Sequence, residues 1–239
     1  MCVKYTNMKR FFISICIILY TLPVYSLSSY SATYNLYSLT NLGSIKLGIA
    51  KYKLILANQV YVFNSSAEID LMWRALYDFS VNETSIGLID DGDLISNYYK
   101  ISEKDGESNS YSYEINIYPE ERYVSLNNEI RWEANSSNLV DILSIYLHFS
   151  EDIQKDLNNK VFTYQLVDKK GINQREFIIE GEEILTINNN ELETIRIVCP
   201  ELKLIFNVSK EHNFMPVNIE KTNGKTQYRL RLKDFNKNS

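Results

Sequence analysis

The chain has 239 residues, 45% of them apolar, and 30 acidic against 25 basic side chains for a formal net charge of −5. That length buries a sizeable core in one domain or two small ones, and the charge balance leaves no basic stripe for a phosphate backbone and no simple attraction to anionic lipid. Eighteen tyrosines beside eight glycines and four prolines favour strands, while two histidines and three cysteines leave little material for metal or nucleophilic chemistry.

Residues 1–26 read as a signal peptide for export. Lys4, Lys9 and Arg10 form its positive end, Phe11 begins an apolar run that reaches Tyr25, and Val24 and Ser26 are the small residues before a cut at Leu27. A start at Met8 gives a shorter leader of the same kind. Fifteen helical residues reach about 22 Å, short of the roughly 30 Å of a bilayer core, so no stable transmembrane span is expected after cleavage. Cys16 lies inside the apolar run, which argues against a lipid anchor. The expected location is periplasmic. The mature chain, 27–239, then carries 22 basic and 30 acidic residues, a charge of −8, and Cys199 as its only thiol, so no internal disulfide is possible. Before Pro200, Cys199 reads as a small buried apolar residue.

Residues 33–69 read as three strands. Ile45, Leu47 and Ile49 alternate with Lys46, Gly48 and Ala50, Asn58-Gln59 is a turn, and Gly43 and Gly48 allow bends or bulges. The stretch 71–76 is one helical turn or a continued strand. Asp90-Asp91-Gly92-Asp93 reads as a solvated turn, because its spacing does not fit a calcium loop. Strands follow at 96–102, 110–118 and 122–126. Tyr98, Tyr99, Tyr111, Tyr113, Tyr118 and Tyr123 make this the most aromatic region, either as cross-strand pairs or as the wall of a hydrophobic cleft.

One amphipathic helix is predicted over 138–157. Leu139, Ile142, Leu143, Tyr146, Ile153 and Leu157 fall on one stripe, with Asn138 as its cap. His148 lies off the stripe and is expected partly exposed; His212, in a polar turn, more so. From 161 to 235 the chain is a meander. Its last hairpin sets Val217, Ile219, Tyr228, Leu230 and Leu232 on one face and Asn218, Glu220, Arg229, Arg231 and Lys233 on the other, about an Asn223-Gly224 turn, with Pro216 at the strand start.

The series T-Y-Q-L-V-D-K-K-G (163–171), I-E-G-E-E-I-L-T (179–186), E-T-I-R-I-V (193–198) and N-F-M-P-V-N-I-E (213–220), after N-L-V-D-I-L-S-I-Y-L (138–147), resembles the bacterial domain-of-unknown-function 3108 family. The resemblance spans 34–235, with its motifs after residue 138. The family often has a tryptophan in the strand before Met-Pro-Val, where Phe206 stands here. It implies a secreted or periplasmic protein without an established activity, and its closing strands are similar to the LolA/LolB-like lipoprotein-carrier fold.

The expected fold is mainly β: a single strongly curved antiparallel sheet of ten to twelve strands, a LolA-like half-open barrel, with one helix on its concave side; a two-part β-sandwich is the alternative. No zinc spacing, G-x-S-x-G elbow or phosphate loop occurs, so no catalytic residue, metal or cofactor is assigned. The expected role is non-enzymatic: binding a hydrophobic small molecule, lipid or lipoprotein in a sheet–helix cleft with Tyr98, Tyr111, Tyr113 and Tyr146 as its wall, and no nucleic acid. A structural or protein-interaction module of the envelope is the first alternative, an unrecognised hydrolase the second.

Overall fold

The computed structural model describes residues 27–74, 79–106 and 109–237. The predicted leader, 1–26, lies outside the described residues, as do Ala75 and Leu76. Fifteen strands among the described residues form one sheet: β1 (Tyr30–Thr40), β2 (Gly43–Ala57), β3 (Val60–Ile69), β4 (Phe79–Asp90), β5 (Asp93–Asp105), β6 (Asn109–Tyr118), β7 (Tyr123–Leu126), β8 (Ile130–Glu133), β9 (Leu139–Asp141), β10 (Val161–Asp168), β11 (Gly171–Ile187), β12 (Asn190–Cys199), β13 (Leu204–Ser209), β14 (Met215–Asn223) and β15 (Thr226–Lys237). Two helices complete it, α1 (Leu71–Arg74) and α2 (Ile145–Lys155).

The sheet runs β8-β7-β6-β5-β4-β3-β2-β1-β15-β14-β13-β12-β11-β10-β9. Every pairing is antiparallel except β9 with β10. β1 pairs with both β2 and β15, so the first and last strands meet mid-sheet. The two edges, β8 and β9, are neighbours in sequence, which rolls the sheet until its ends approach. The turn between β10 and β11 reaches across this gap: the ring of Trp132 lies 3.6 Å from where a Cβ on Gly171 would stand, and Lys169 Nζ sits 4.7 Å over the Tyr111 ring. The result is a half-open barrel. β7 stands where a strand over 122–126 is expected; of the strands beyond the expected count, β8 and β9 hold only four and three residues, too few to show an alternation.

The long strands follow their sequence except β2, where the bulge at Leu47 goes with the opposite phase: Ile45 is 43% exposed, and Gly48, Ala50, Tyr52 and Leu54 are buried in place of Ile45, Leu47 and Ile49. Tyr30, Ala32, Tyr34 and Leu36 point inward from β1, and Tyr61 and Phe63 from β3. Asn58 and Gln59 both take positive φ, as a two-residue hairpin turn requires. In the last hairpin Asn223 pairs with Thr226, so the loop is Gly224-Lys225 rather than Asn223-Gly224; Gly224 still supplies the positive φ. Val217, Ile219 and Leu232 are buried, but Tyr228 is 37% exposed because it stands at the open rim. Asn218, expected in water, is buried and donates to Asn207 Oδ1 at 3.0 Å. The tip of the β11–β12 hairpin returns to β15, where Asn188 donates to the Lys233 carbonyl at 2.8 Å.

Two glycines are required by close approach. A Cβ on Gly48 would lie 2.0 Å from the Glu68 carbonyl oxygen, opposite a bulge at Leu47. A Cβ on Gly87 would lie 2.0 Å from the Ile95 carbonyl oxygen and 2.5 Å from the Tyr61 ring. Gly87→Ala is therefore expected to cost about 2–3 kcal/mol of stability by overpacking; a midpoint of urea unfolding that stays within error of the parent excludes this reading of the contact.

The helix differs from its predicted span. Leu139–Asp141 is strand β9, held by Gln165, Leu166 and Val167 of β10, and α2 begins only at Ile145 with Ser144 as N-cap. Asn138 is therefore not the cap, and Leu157 is exposed beyond the helix end. The helix lies on the concave face of the sheet. Phe149 meets Phe162, Phe177 and Phe206 at ring distances of 5.0, 6.3 and 5.4 Å, and Tyr146 meets Tyr52 and Phe206 at 6.3 and 5.5 Å. The space directly beneath the helix is thus filled by aromatic rings. No helix of the described residues is long and apolar enough to cross a membrane.

Candidate functional site

Where α2 enters the barrel, β9 sets Asp141 against β4 and β5. Asp141 is fully buried and accepts four hydrogen bonds: from Ser85 Oγ (2.6 Å), Ser144 Oγ (2.7 Å), and the backbone N–H groups of Leu143 (2.9 Å) and Ser144 (2.8 Å). Ser96 Oγ touches Ser144 Oγ at 2.9 Å, Tyr61 Oη at 3.0 Å and His148 Nε2 at 3.2 Å. His148, expected partly exposed, is only 7% exposed, because α2 turns that face inward. Burial raises the Asp141 carboxyl above its usual range and pushes His148 down to about 3, so the imidazole is neutral.

Aspartate, serine and histidine are the parts of a hydrolytic triad, but their connections here differ. The carboxylate holds hydroxyls and helix N–H groups instead of the imidazole, and Ser96 is fully buried among three partners. The geometry is that of a clamp between α2 and the sheet.

The direction of this chain follows the ionisation of Asp141: with the carboxylate ionised, Ser144 donates to it, Ser96 donates to Ser144, and His148 Nε2 donates to Ser96.

Beside this clamp lies a cavity of about 530 Å³, between α2 and the turns joining β4 to β5 and β6 to β7. Leu88, Leu94, Ile117 and Leu139 give it apolar walls; Asn97, His148, Glu151, Asp152 and Lys155 give it polar ones. Its shape follows from a β-bulge. Ile86 pairs with Tyr98 and Gly87 with Ser96, so Asn97 is left unpaired and turns into the cavity. On the opposite wall His148, Glu151 and Lys155 share one helix face. Lys155 Nζ is 2.7 Å from Asp93 Oδ1, tying the helix end to the β4–β5 turn. The buried atoms Asn97 Oδ1 and Glu151 Oε2 have no hydrogen-bond partner.

Burial raises Glu151 from its usual 4.5 to about 7, against the opposing pull of Lys155. Between those values the folded chain holds a proton that the unfolded chain has released, so stability falls as pH rises from about 4.5 to about 7. Glu151→Gln removes that slope. The melting temperature of the variant is expected to gain on the parent steadily across this window; two parallel curves would show that Glu151 titrates normally.

None of the four predicted wall tyrosines lines this cavity. Tyr98 faces away from the barrel interior and donates to Glu114 Oε2 at 3.0 Å. Tyr111 and Tyr113 stack at 6.3 Å near the seam. Tyr146 sits in the aromatic cluster against Tyr52 and Phe206. The structure brings Tyr111 and Tyr113 together and leaves the other two apart. Near Tyr113 it adds Glu83, whose carboxylate accepts from Tyr99 Oη at 2.6 Å and is raised by burial. Glu83 was legible in principle, since it shares the inward phase of β4 with Ser85 and Gly87. Among the described residues no group of three or more His, Cys, Asp or Glu is placed to hold a metal ion. Cys199 is buried, and burial pushes its thiol up to about 11.

No protein family matches the chain, and no curated protein is similar to it. Among solved structures it is similar to the crystal structure of a beta-barrel-like protein of domain of unknown function DUF1849 from Brucella abortus. The TM-score is 0.56 at 10% identity, over 90% of this chain and 99% of that one. At that identity the likeness concerns the fold alone, a β-barrel-like domain of unknown function.

Proposed function

We propose that the chain is an exported, periplasmic, non-enzymatic binding protein, akin to the domain-of-unknown-function 3108 family and, in fold, to lipoprotein carriers. It takes a small, largely hydrophobic ligand or envelope component in the cleft between helix and sheet. The observation that carries this reading is the cavity of about 530 Å³ beside α2, where Leu88, Leu94, Ile117 and Leu139 form an apolar part of a wall that is otherwise polar; ligand sites are commonly of roughly 300–1,000 Å³. Export rests on the charged end and apolar run of residues 1–26. The ligand sits at the side of the helix, because aromatic rings fill the space beneath it.

Native mass spectrometry of protein taken from the periplasm tests this. The parent is expected to carry a small-molecule adduct that Leu88→Trp loses; Leu88 is 45% exposed at the cavity mouth, so the larger ring blocks entry without disturbing the core. A parent without adduct under gentle conditions overturns the reading.

An interaction module is the second reading. At the barrel end away from α2, Leu42 is 100% exposed, and Leu71 and Met72 are 80% and 78% exposed. Recurrent cross-linking of that end to one envelope protein, with no adduct in the cavity, would favour it.

A further inference from the structure

We infer that the outer face of β2 to β5 is the contact surface of a symmetric dimer, with a second copy of this chain as its occupant.

An antiparallel sheet with one face on a core turns polar residues outward on the other. Across these four strands Lys53, Asn64, Thr84 and Lys100 form one such outward row. The next row toward the β4–β5 turn breaks the rule. It reads Ile55, Val62, Ile86 and Tyr98, each opposite the next in the ladder. Beyond it Val60 stands opposite Leu88. Their chain neighbours Leu54, Tyr61, Phe63, Ser85 and Tyr99 are buried inside the barrel, so alternation turns these six side chains outward. None of the six packs against the barrel core, and Ile55 and Leu88 are 40% and 45% exposed. Apolar side chains contiguous over four strands form a patch, unlike apolar residues scattered singly, and such patches mark interaction sites.

The charges around the patch select its occupant. Lys53 and Lys100 border it on one side; Asp90 and Asp91, at the β4–β5 turn, border it on the other. On β4 the two borders are evenly placed, since Thr84 of the lysine row and Asp90 lie equally far along the strand from Gly87. Lys53, Lys100, Asp90 and Asp91 form no ion pair among the described residues. A face with cations along one border and carboxylates along the other is complementary to itself. A two-fold axis lying between two such faces and running across the strands sets each lysine border against the other copy's aspartate border. Lys100 of each copy then meets Asp90 of the other, and the apolar rows stack as in an aligned β-sandwich. Tyr98 supplies an aromatic ring, as interface cores commonly have. An anionic lipid surface would be repelled by the aspartate border.

Analytical ultracentrifugation of the chain purified after export tests this. A reversible dimer is expected at roughly 100 µM chain. Ile86→Lys places a charge in the patch without touching the core, and is expected to raise the dissociation constant about tenfold or more. Lys100→Asp and Asp90→Lys are each expected to weaken the dimer about tenfold. The double variant is expected to restore it, because both borders are then exchanged; a damaged fold would not recover in this way. A parent that stays monomeric at that concentration overturns the inference, as does a dimer indifferent to Ile86→Lys or a double variant no tighter than the single ones. Cross-linking through Val60→Cys in intact cells is expected to join two copies of this chain. A product with a different protein in place of the second copy gives the face to that protein and overturns the dimer.

Discussion

Asp141→Ala is expected to lower the stability of the fold by about 3–4 kcal/mol, while Asp141→Asn costs about 1 kcal/mol, because the loss follows the acceptors and not the charge. Alanine leaves four donors without their partner at once. The hydroxyls of Ser85 and Ser144 can turn to Tyr61 and Ser96, which lie within reach. The N–H groups of Leu143 and Ser144 cannot turn, and they are buried at the entrance to α2. Asparagine keeps an oxygen for those two N–H groups and offers its NH₂ to the hydroxyl lone pairs. Urea unfolding with an unchanged denaturant dependence measures the difference as a shift in midpoint. Equal losses in the two variants would mean that the negative charge itself holds the helix, contrary to the burial that raises this carboxyl toward its neutral form.

The same residue shows where sequence reading stops. The motif L-V-D-I-L-S-I-Y-L carries apolar residues at helical spacing, and nothing local separates its first three residues from the helix behind them. What makes Leu139–Asp141 a strand is β10, more than twenty residues onward, which supplies the ladder partners. Asp141 is fixed by Ser85, 56 positions away. By contrast, most of the long strands and the turn at Asn58-Gln59, both at positive φ, were legible because alternation and turn chemistry are local.

The candidate site was less legible for a related reason. Tyr98 and Tyr99 are adjacent, so they face opposite sides, and pattern alone does not say which is inside. Carrying the inward phase from Leu94 and Ser96 assigns Tyr98 to the interior. The bulge at Asn97 shifts that phase by one residue, so Tyr99 is fully buried and Tyr98 is outside. The cleft was anticipated between sheet and helix, and a cavity does lie there, but its polar wall comes from the bulge and from a helix face whose burial the sequence does not show.

Phe206→Ala is expected to cost about 4 kcal/mol, as fully buried phenylalanines do when the surrounding structure cannot close over the void. Phe206 is 0% exposed on β13 and sits edge-on to Tyr146 at 5.5 Å, Phe149 at 5.4 Å and Phe177 at 6.1 Å. Two of those rings belong to α2 and one to β11, so a single side chain joins the helix to both the near and far strands of the sheet. Sheet strands on either side are fixed by their ladders, which limits collapse into the cavity and keeps the cost high. Phe206→Leu retains most of the volume and is expected to cost under about 1.5 kcal/mol. Near-ultraviolet circular dichroism adds a readout that distinguishes packing from general weakening: the tyrosine signal of the cluster should fall in the alanine variant under conditions where the strands remain intact. If Phe206→Ala is no worse than Phe206→Leu, the rings do not anchor the helix, and the clamp at Asp141 alone must hold the wall of the cleft in place.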